Sequence, residues 1–186
     1  MEIRKRHARA EKTDGKILIS MISKIKKNSD TLSIKITEIV QASKISKSTF
    51  YRHAKNPDEF ILKEKNKIFS KYKILMRTHL GKTPNQFFRY FLIFLKNNPD
   101  FFEYIFSRND RKFVFKMMKI FENRILNFYH FPKNSKKIFE VYYSEIYGIL
   151  DGWAKDKFDE KELEEILKEI LYLSQNARRH LMPLVK

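Results

Sequence analysis

ITEIVQASKISKSTFYRHAK, residues 36–55, is the stretch on which the reading of the fold turns. Ile36, Ile39 and Val40 fall on one side of a short helix over 36–43, and a second runs over 47–53 with Ser46 as its N-cap. Only Lys44-Ile45-Ser46 separates them. Upstream, Ile17, Leu18, Met21, Ile22 and Ile25 recur at helical spacing and predict a first helix over 13–27, with 28–33 as its polar exit. Two short helices joined by so tight a turn, inside a small basic three-helix unit, describe a helix-turn-helix. The second helix of such a pair fits the major groove of DNA, its N-terminal residues reaching base edges while neighbours grip phosphates. Here it carries one apolar anchor, Phe50, and hydrogen-bonding side chains at most other positions. An ordinary solvated surface helix would look the same, so these residues alone leave both readings open.

Working outward, Asn56-Pro57-Asp58-Glu59 is a strong helix start: an N-cap, proline at the first helical position, then carboxylates facing the positive end of the helix dipole. The helix it opens is expected to run to Gly81. Thr83-Pro84-Asn85-Gln86 repeats the logic as a capping box, and Asn98-Pro99-Asp100 does so again. A seventh helix is predicted over 111–129, a loop over 130–134 containing Pro132, and two longer helices over 135–155 and 161–180. With 4 Gly and 5 Pro and no sustained apolar-polar alternation, the expectation is an all-α fold of about nine helices. Its expected parts are an N-terminal three-helix DNA-binding unit, residues 1–56, and a C-terminal helical domain, residues 57–186, for dimerisation and a ligand.

The 186 residues are 42% hydrophobic, 15% aromatic and 33% charged, which describes a folded chain rather than a disordered polyelectrolyte. The absence of cysteine excludes disulfides, thiolate metal sites and cysteine nucleophiles. No apolar run approaches the length of a membrane span, and the cytoplasm is the expected compartment. A net charge of +17 points to a polyanionic partner, and residues 1–80 hold 20 Lys/Arg against 8 Asp/Glu. The 5 histidines are scattered without metal-ligand spacing, and neither a Gly-rich phosphate loop nor a nucleophile motif occurs. Neither enzyme activity, cofactor nor metal is expected. The acidic cluster Asp156, Asp159, Glu160, Glu162, Glu164 and Glu165 sits at a helix start, where dipole capping explains it better than catalysis.

The run from Ile36 to Lys55, followed by Pro57-Asp58-Glu59-Phe60, resembles the signature of the TetR/AcrR family of bacterial helix-turn-helix regulators. That signature reads Ile or Val, two polar residues, Ile-Ala, then Ala-Gly-Val-Ser, a short Leu/Phe-Tyr-x-x-Phe helix, Lys and an acidic helix start. The likeness is detailed over 13–80 and architectural beyond. Three positions depart from it. Lys44 replaces the turn glycine and is expected near the left-handed region at a cost of about 1 kcal/mol. Ala54 replaces an anchoring Phe, and Lys35 replaces a capping Ser or Thr.

The resemblance implies a homodimeric repressor that binds palindromic operator DNA and is released by a hydrophobic or aromatic effector. A DNA-binding architectural or partner-binding protein without effector is the alternative. It further implies base reading by Lys47, Ser48 and Thr49, backbone contacts from Lys35, Thr37, Tyr51, His53 and Lys55, and either role for Arg52. Tyr51 could instead pack on the first helix. Arg4, Lys5, Arg6, Arg9 and Lys12 are read as a disordered basic arm in preference to a minor-groove arm. Residues 87–131 hold 12 of the 17 Phe, and the family resemblance suggests an effector pocket there lined by Phe87, Phe91, Phe94, Phe102, Phe106, Met117, Met118 and Phe121. Plain helix packing would use the same residues. By the same resemblance Tyr142, Ile146, Ile149, Trp153, Ile166 and Ile170 form the dimer interface, a four-helix bundle in which Gly148 and Gly152 permit close approach.

Overall fold

Helix starts are where local chemistry acts most directly. The Asn56 side chain accepts from the Glu59 N–H at 2.8 Å, and the Glu59 carboxylate accepts from the Lys55 N–H at 2.8 Å. Thr83 and Gln86 form the expected reciprocal capping box ahead of Pro84. In the computed structural model, which describes residues 2–27, 34–78, 83–128 and 136–181, the chain is all-helical. Among the described residues the helices are α1 (Glu2–Lys27), α2 (Ile36–Ser43), α3 (Lys47–His53), α4 (Pro57–Thr78), α5 (Pro84–Lys96), α6 (Pro99–Ser107), α7 (Arg111–Phe128), α8 (Lys136–Lys155) and α9 (Leu163–Leu181). A 3₁₀ turn, Glu160–Glu162, leads into α9. The predicted loops over 28–33 and 130–134 and the Gly81 terminator lie outside the described residues.

The described residues group into two compact units. One comprises residues 1–68 with 100–109, the other 69–99 with 110–186. In the first unit α1 packs on α2 and α2 on α3, around buried Ile17, Met21, Ile39, Phe50, Phe60 and Ile68. Residues 4–12, expected to be a disordered arm, continue α1 without a break. EIRKRHARAEK contains no Gly or Pro and is rich in strong helix formers, so propensity favours continuation.

In the second unit α5 packs on α7 and α9, and α8 on α7 and α9. Helix α8 stops where Lys157 and Phe158 both take positive φ, 56° each. The Phe158 N–H donates to the Trp153 carbonyl at 2.9 Å, and the Lys157 N–H to Ala154 at 3.2 Å, a Schellman closure. The buried Phe158 ring lies 5.1 Å from Trp153, which stabilises two strained residues by burial. The acidic cluster is used structurally: Arg89 pairs with Glu164 at 2.5 Å and Lys96 with Glu160 at 2.5 Å, joining α5 to α9 and the turn before it.

Candidate nucleic-acid interface

The turn between α2 and α3 is built by Lys44. Its φ of 55° and ψ of 42° are left-handed, and the Ile45 N–H donates back to the Val40 carbonyl at 3.1 Å while the Lys44 N–H reaches Gln41 at 3.4 Å. This is a Schellman closure carried out by a lysine, as expected from its place in the sequence. Lys35, ahead of α2, has no side-chain oxygen to cap with, but the Glu38 carboxylate accepts from the Lys35 N–H at 3.2 Å and supplies half of a capping box. The Ser46 hydroxyl accepts from the Thr49 N–H at 3.1 Å and so starts α3 as predicted.

Four ties then orient α3. Phe50 is fully buried, and Ala54, placed where the family has Phe, is itself buried beside the end of the helix. His53 Nδ1 lies 2.7 Å from the Asp14 carboxylate of α1, and Lys63 of α4 donates to the His53 carbonyl at 3.0 Å. Lys67 also approaches Asp14, at 3.5 Å. With Phe50, His53 and Ala54 turned inward, the exposed face of the helix carries Lys47, Ser48, Tyr51, Arg52 and, just beyond it, Lys55. Positions 48, 51, 52 and 55 follow the i, i+3, i+4, i+7 spacing of one helical face.

Most of the expected interface residues therefore lie together on the surface. Lys35 and Thr37, at the start of α2, are exposed as well. Tyr51 does not pack on α1: it is 55% exposed. Two assignments change. His53 is held by Asp14 and is better described as the residue that orients α3 than as a phosphate grip. Thr49 is half-buried, its hydroxyl bonded to Ser46 at 2.9 Å and to the Arg52 guanidinium at 3.1 Å, which turns it away from the exposed row. Sequence reasoning missed Asp14, whose contact with His53 spans 39 positions.

No family model, curated protein or solved structure matches the chain.

Counted by structural unit, residues 1–68 and 100–109 hold 18 Lys/Arg against 10 Asp/Glu, the remainder 21 against 12, so the charge per residue differs little between the two. The local distribution carries the signal instead, because residues 39–57 contain Lys44, Lys47, Arg52 and Lys55 and no carboxylate.

The residues assigned to an effector pocket are all buried. Within the second unit Phe87 stacks on Phe121 at 6.3 Å and Phe91 approaches the same ring at 6.0 Å, so these rings cover one another. Phe102 and Phe106 belong to the first unit. Polar groups are present in this core after all. The fully buried Tyr72 hydroxyl has no hydrogen-bond partner among the described residues, and the Tyr143 hydroxyl donates to Glu122 at 3.0 Å. Burial pushes both phenols above their ordinary range, Tyr143 further so beside the Glu122 charge.

The residues expected at a dimer interface are mostly covered by their own chain. Tyr142, Ile146, Trp153 and Ile170 are buried within their own chain and have no surface to give a partner; Ile149 and Ile166 are half-buried. Tyr142 is hydrogen-bonded to Ser174, and the Trp153 indole N–H donates to the Asp159 carbonyl at 3.0 Å. The apolar and glycine positions that α8 and α9 expose are Val141, Gly148, Gly152 and Tyr172, set among the exposed polar residues Glu140, Ser144, Glu145, Lys168, Glu169 and Gln175. A Cβ built on Gly148 or Gly152 meets nothing within 4 Å, so no helix of the same chain makes the close approach expected there.

Proposed function

We propose that the chain is a DNA-binding transcriptional regulator of the TetR type, acting as a repressor that occupies palindromic operator DNA as a homodimer. One observation carries this reading: α3 is fastened by its inner face to α1 and α4 while Lys47, Ser48, Tyr51 and Arg52 stand in an outward row free of carboxylates. A short helix anchored that way can enter a major groove and present donors to base edges and phosphates. Lys35, Thr37 and Lys55 flank the row and suit phosphate contact. The dimer would form through the exposed Val141, Gly148, Gly152 and Tyr172, which repeats the DNA-reading helix across a two-fold axis. None of the described helices is long and apolar enough to cross a membrane, and the proposed place of action is the cytoplasm.

Selection from random duplex DNA tests the proposal. A preferred palindrome with half-sites about one helical turn apart, or a simple multiple, is expected; recovery of unrelated sequences would refute the repressor reading. A second reading, an effector-independent DNA-binding protein, is favoured by the mutual covering of Phe87, Phe91 and Phe121, which leaves these rings facing each other instead of a ligand. Against it stands the unpartnered Tyr72 hydroxyl, a group that a bound effector with a polar atom would satisfy. Thermal shift across a panel of aromatic and hydrophobic compounds separates the two.

A further inference from the structure

Behind the exposed row of α3 lies a cleft of about 680 Å³, walled by α1, α3 and the first turns of α4, and large enough for a small organic ligand. It is lined by the buried Phe60, the exposed Ala10 and otherwise by residues with polar or charged side chains. The charges in those walls divide into two sets. Lys67 lies within 3.5 Å of both Asp14 and Glu64 and 3.9 Å from Glu11, and Asp14 also holds His53, so the lysine at this end of the cleft is already committed to carboxylates. Lys63 is bound to Glu59 at 2.8 Å. Arg9 and Arg52 differ. Among the described residues neither guanidinium has a carboxylate within 4.0 Å, although both line the same cleft from different helices. The Arg52 guanidinium donates only to the Thr49 hydroxyl, at 3.1 Å. Two planar cationic forks lining one cleft, neither paired with a carboxylate among the described residues, constitute half of a phosphate or carboxylate site, because the guanidinium geometry pairs with such groups bidentately.

We propose that this cleft binds a small phosphorylated ligand, its phosphate oxygens held between Arg9 and Arg52. Size favours an oligophosphate over a single inorganic phosphate, which would leave most of the volume to water. Since Arg52 also belongs to the exposed row of α3, an anion seated here would lower the positive potential of that row and oppose the binding of DNA. Only this last step rests on the function proposed above; the binding step does not.

The test is equilibrium dialysis of the full chain against labelled pyrophosphate at physiological ionic strength, without DNA. One saturable site per chain is expected. Arg9→Ala and Arg52→Ala, both at exposed positions, should each weaken it by about tenfold or more, while Arg9→Lys and Arg52→Lys should weaken it less, retaining charge but losing the fork. Lys16→Ala and Lys168→Ala remove the same charge from exposed sites off the cleft and should leave binding unchanged. Circular dichroism confirms that each variant is folded. Equal weakening by all four alanine variants would mean diffuse attraction to a basic surface and would overturn the proposal, as would failure to saturate. A result in which only duplex DNA, and not pyrophosphate, depends on Arg9 and Arg52 would overturn it as well, assigning the pair to backbone contact. Saturable pyrophosphate binding with no effect on DNA affinity would leave the site standing and remove the coupling.

Discussion

Tyr172 and Trp153 lie on consecutive helices, and replacing each by glutamate should give opposite kinds of failure. Trp153 is 1% exposed, its indole N–H is bonded to a backbone carbonyl, and its ring supports the strained end of α8. Truncating a buried aromatic of this size costs about 3–5 kcal/mol, and leaving a carboxylate in the vacated space adds to that. Against a total stability of about 5–15 kcal/mol, Trp153→Glu should unfold the second unit or leave it prone to aggregation. Tyr172 is 64% exposed and Val141 62%, so Tyr172→Glu and Val141→Glu should change the stability of one chain by less than about 0.5 kcal/mol. Their effect should appear on association. A buried aromatic or aliphatic side chain contributes about 1.5–3 kcal/mol, and in a two-fold interface each substitution occurs twice. The double variant should therefore weaken the dimer by at least about a hundredfold. Sedimentation velocity over a concentration series, with urea denaturation alongside, measures both quantities. A double variant that folds normally and sediments as the wild type does would refute the proposed face, and a folded, monomeric Trp153→Glu would refute the burial argument.

Four further outcomes are expected. Lys47→Ala should lose preference at one base pair in each half-site while retaining most nonspecific affinity, since a good base contact discriminates by about 1–3 kcal/mol; identical sites selected by wild type and variant would exclude Lys47 from base reading. Lys55→Ala should weaken binding to all sequences alike and lower the slope of log affinity against log salt by about one, as read by fluorescence anisotropy. Phe50→Ala removes the only fully buried side chain of α3 and should cost about 3–5 kcal/mol in urea denaturation of the first unit. The Lys63 ammonium and the Lys55 N–H hold the Glu59 carboxyl below its usual range. A depressed folded value makes its contribution present above the ordinary Glu range and lost as pH falls through the folded one. The melting-temperature difference between wild type and Glu59→Gln should therefore shrink on acidification, and a constant difference would show that the carboxylate charge is not what matters.

Much of this was legible because helix ends are local. Asn56, Thr83 and Ser46 act within three residues of themselves, so their caps could be placed from the sequence alone. Lys44 was legible only through the resemblance, which places a glycine at that turn; its left-handed φ of 55° agrees with it. The basic N-terminus was misjudged because charge was weighed and propensity was not; Glu, Arg, Ala and Lys together favour helix even where they repel. The interface residues failed for a different reason. Periodicity identifies an apolar face but cannot tell which part of it meets the same chain and which a partner, and Tyr142, Ile146, Trp153 and Ile170 went inward.

The polar contacts of α3 fit together once the helix is seen from its inner side. Ala54 removes an aromatic anchor, and a seven-residue helix held by Phe50 alone would be free to rock. Polar ties replace the lost contact: Asp14 to the His53 ring, Lys63 to the His53 carbonyl, Lys67 behind Asp14. Such ties constrain direction more than burial does, because hydrogen bonds weaken steeply with angle while apolar contact does not. The orientation of the outward row, and with it the register of any base contact, thus depends on Asp14, a residue on another helix that touches no DNA in the proposed complex. If α3 reads DNA as proposed, its specificity is set from behind the helix as much as from its face.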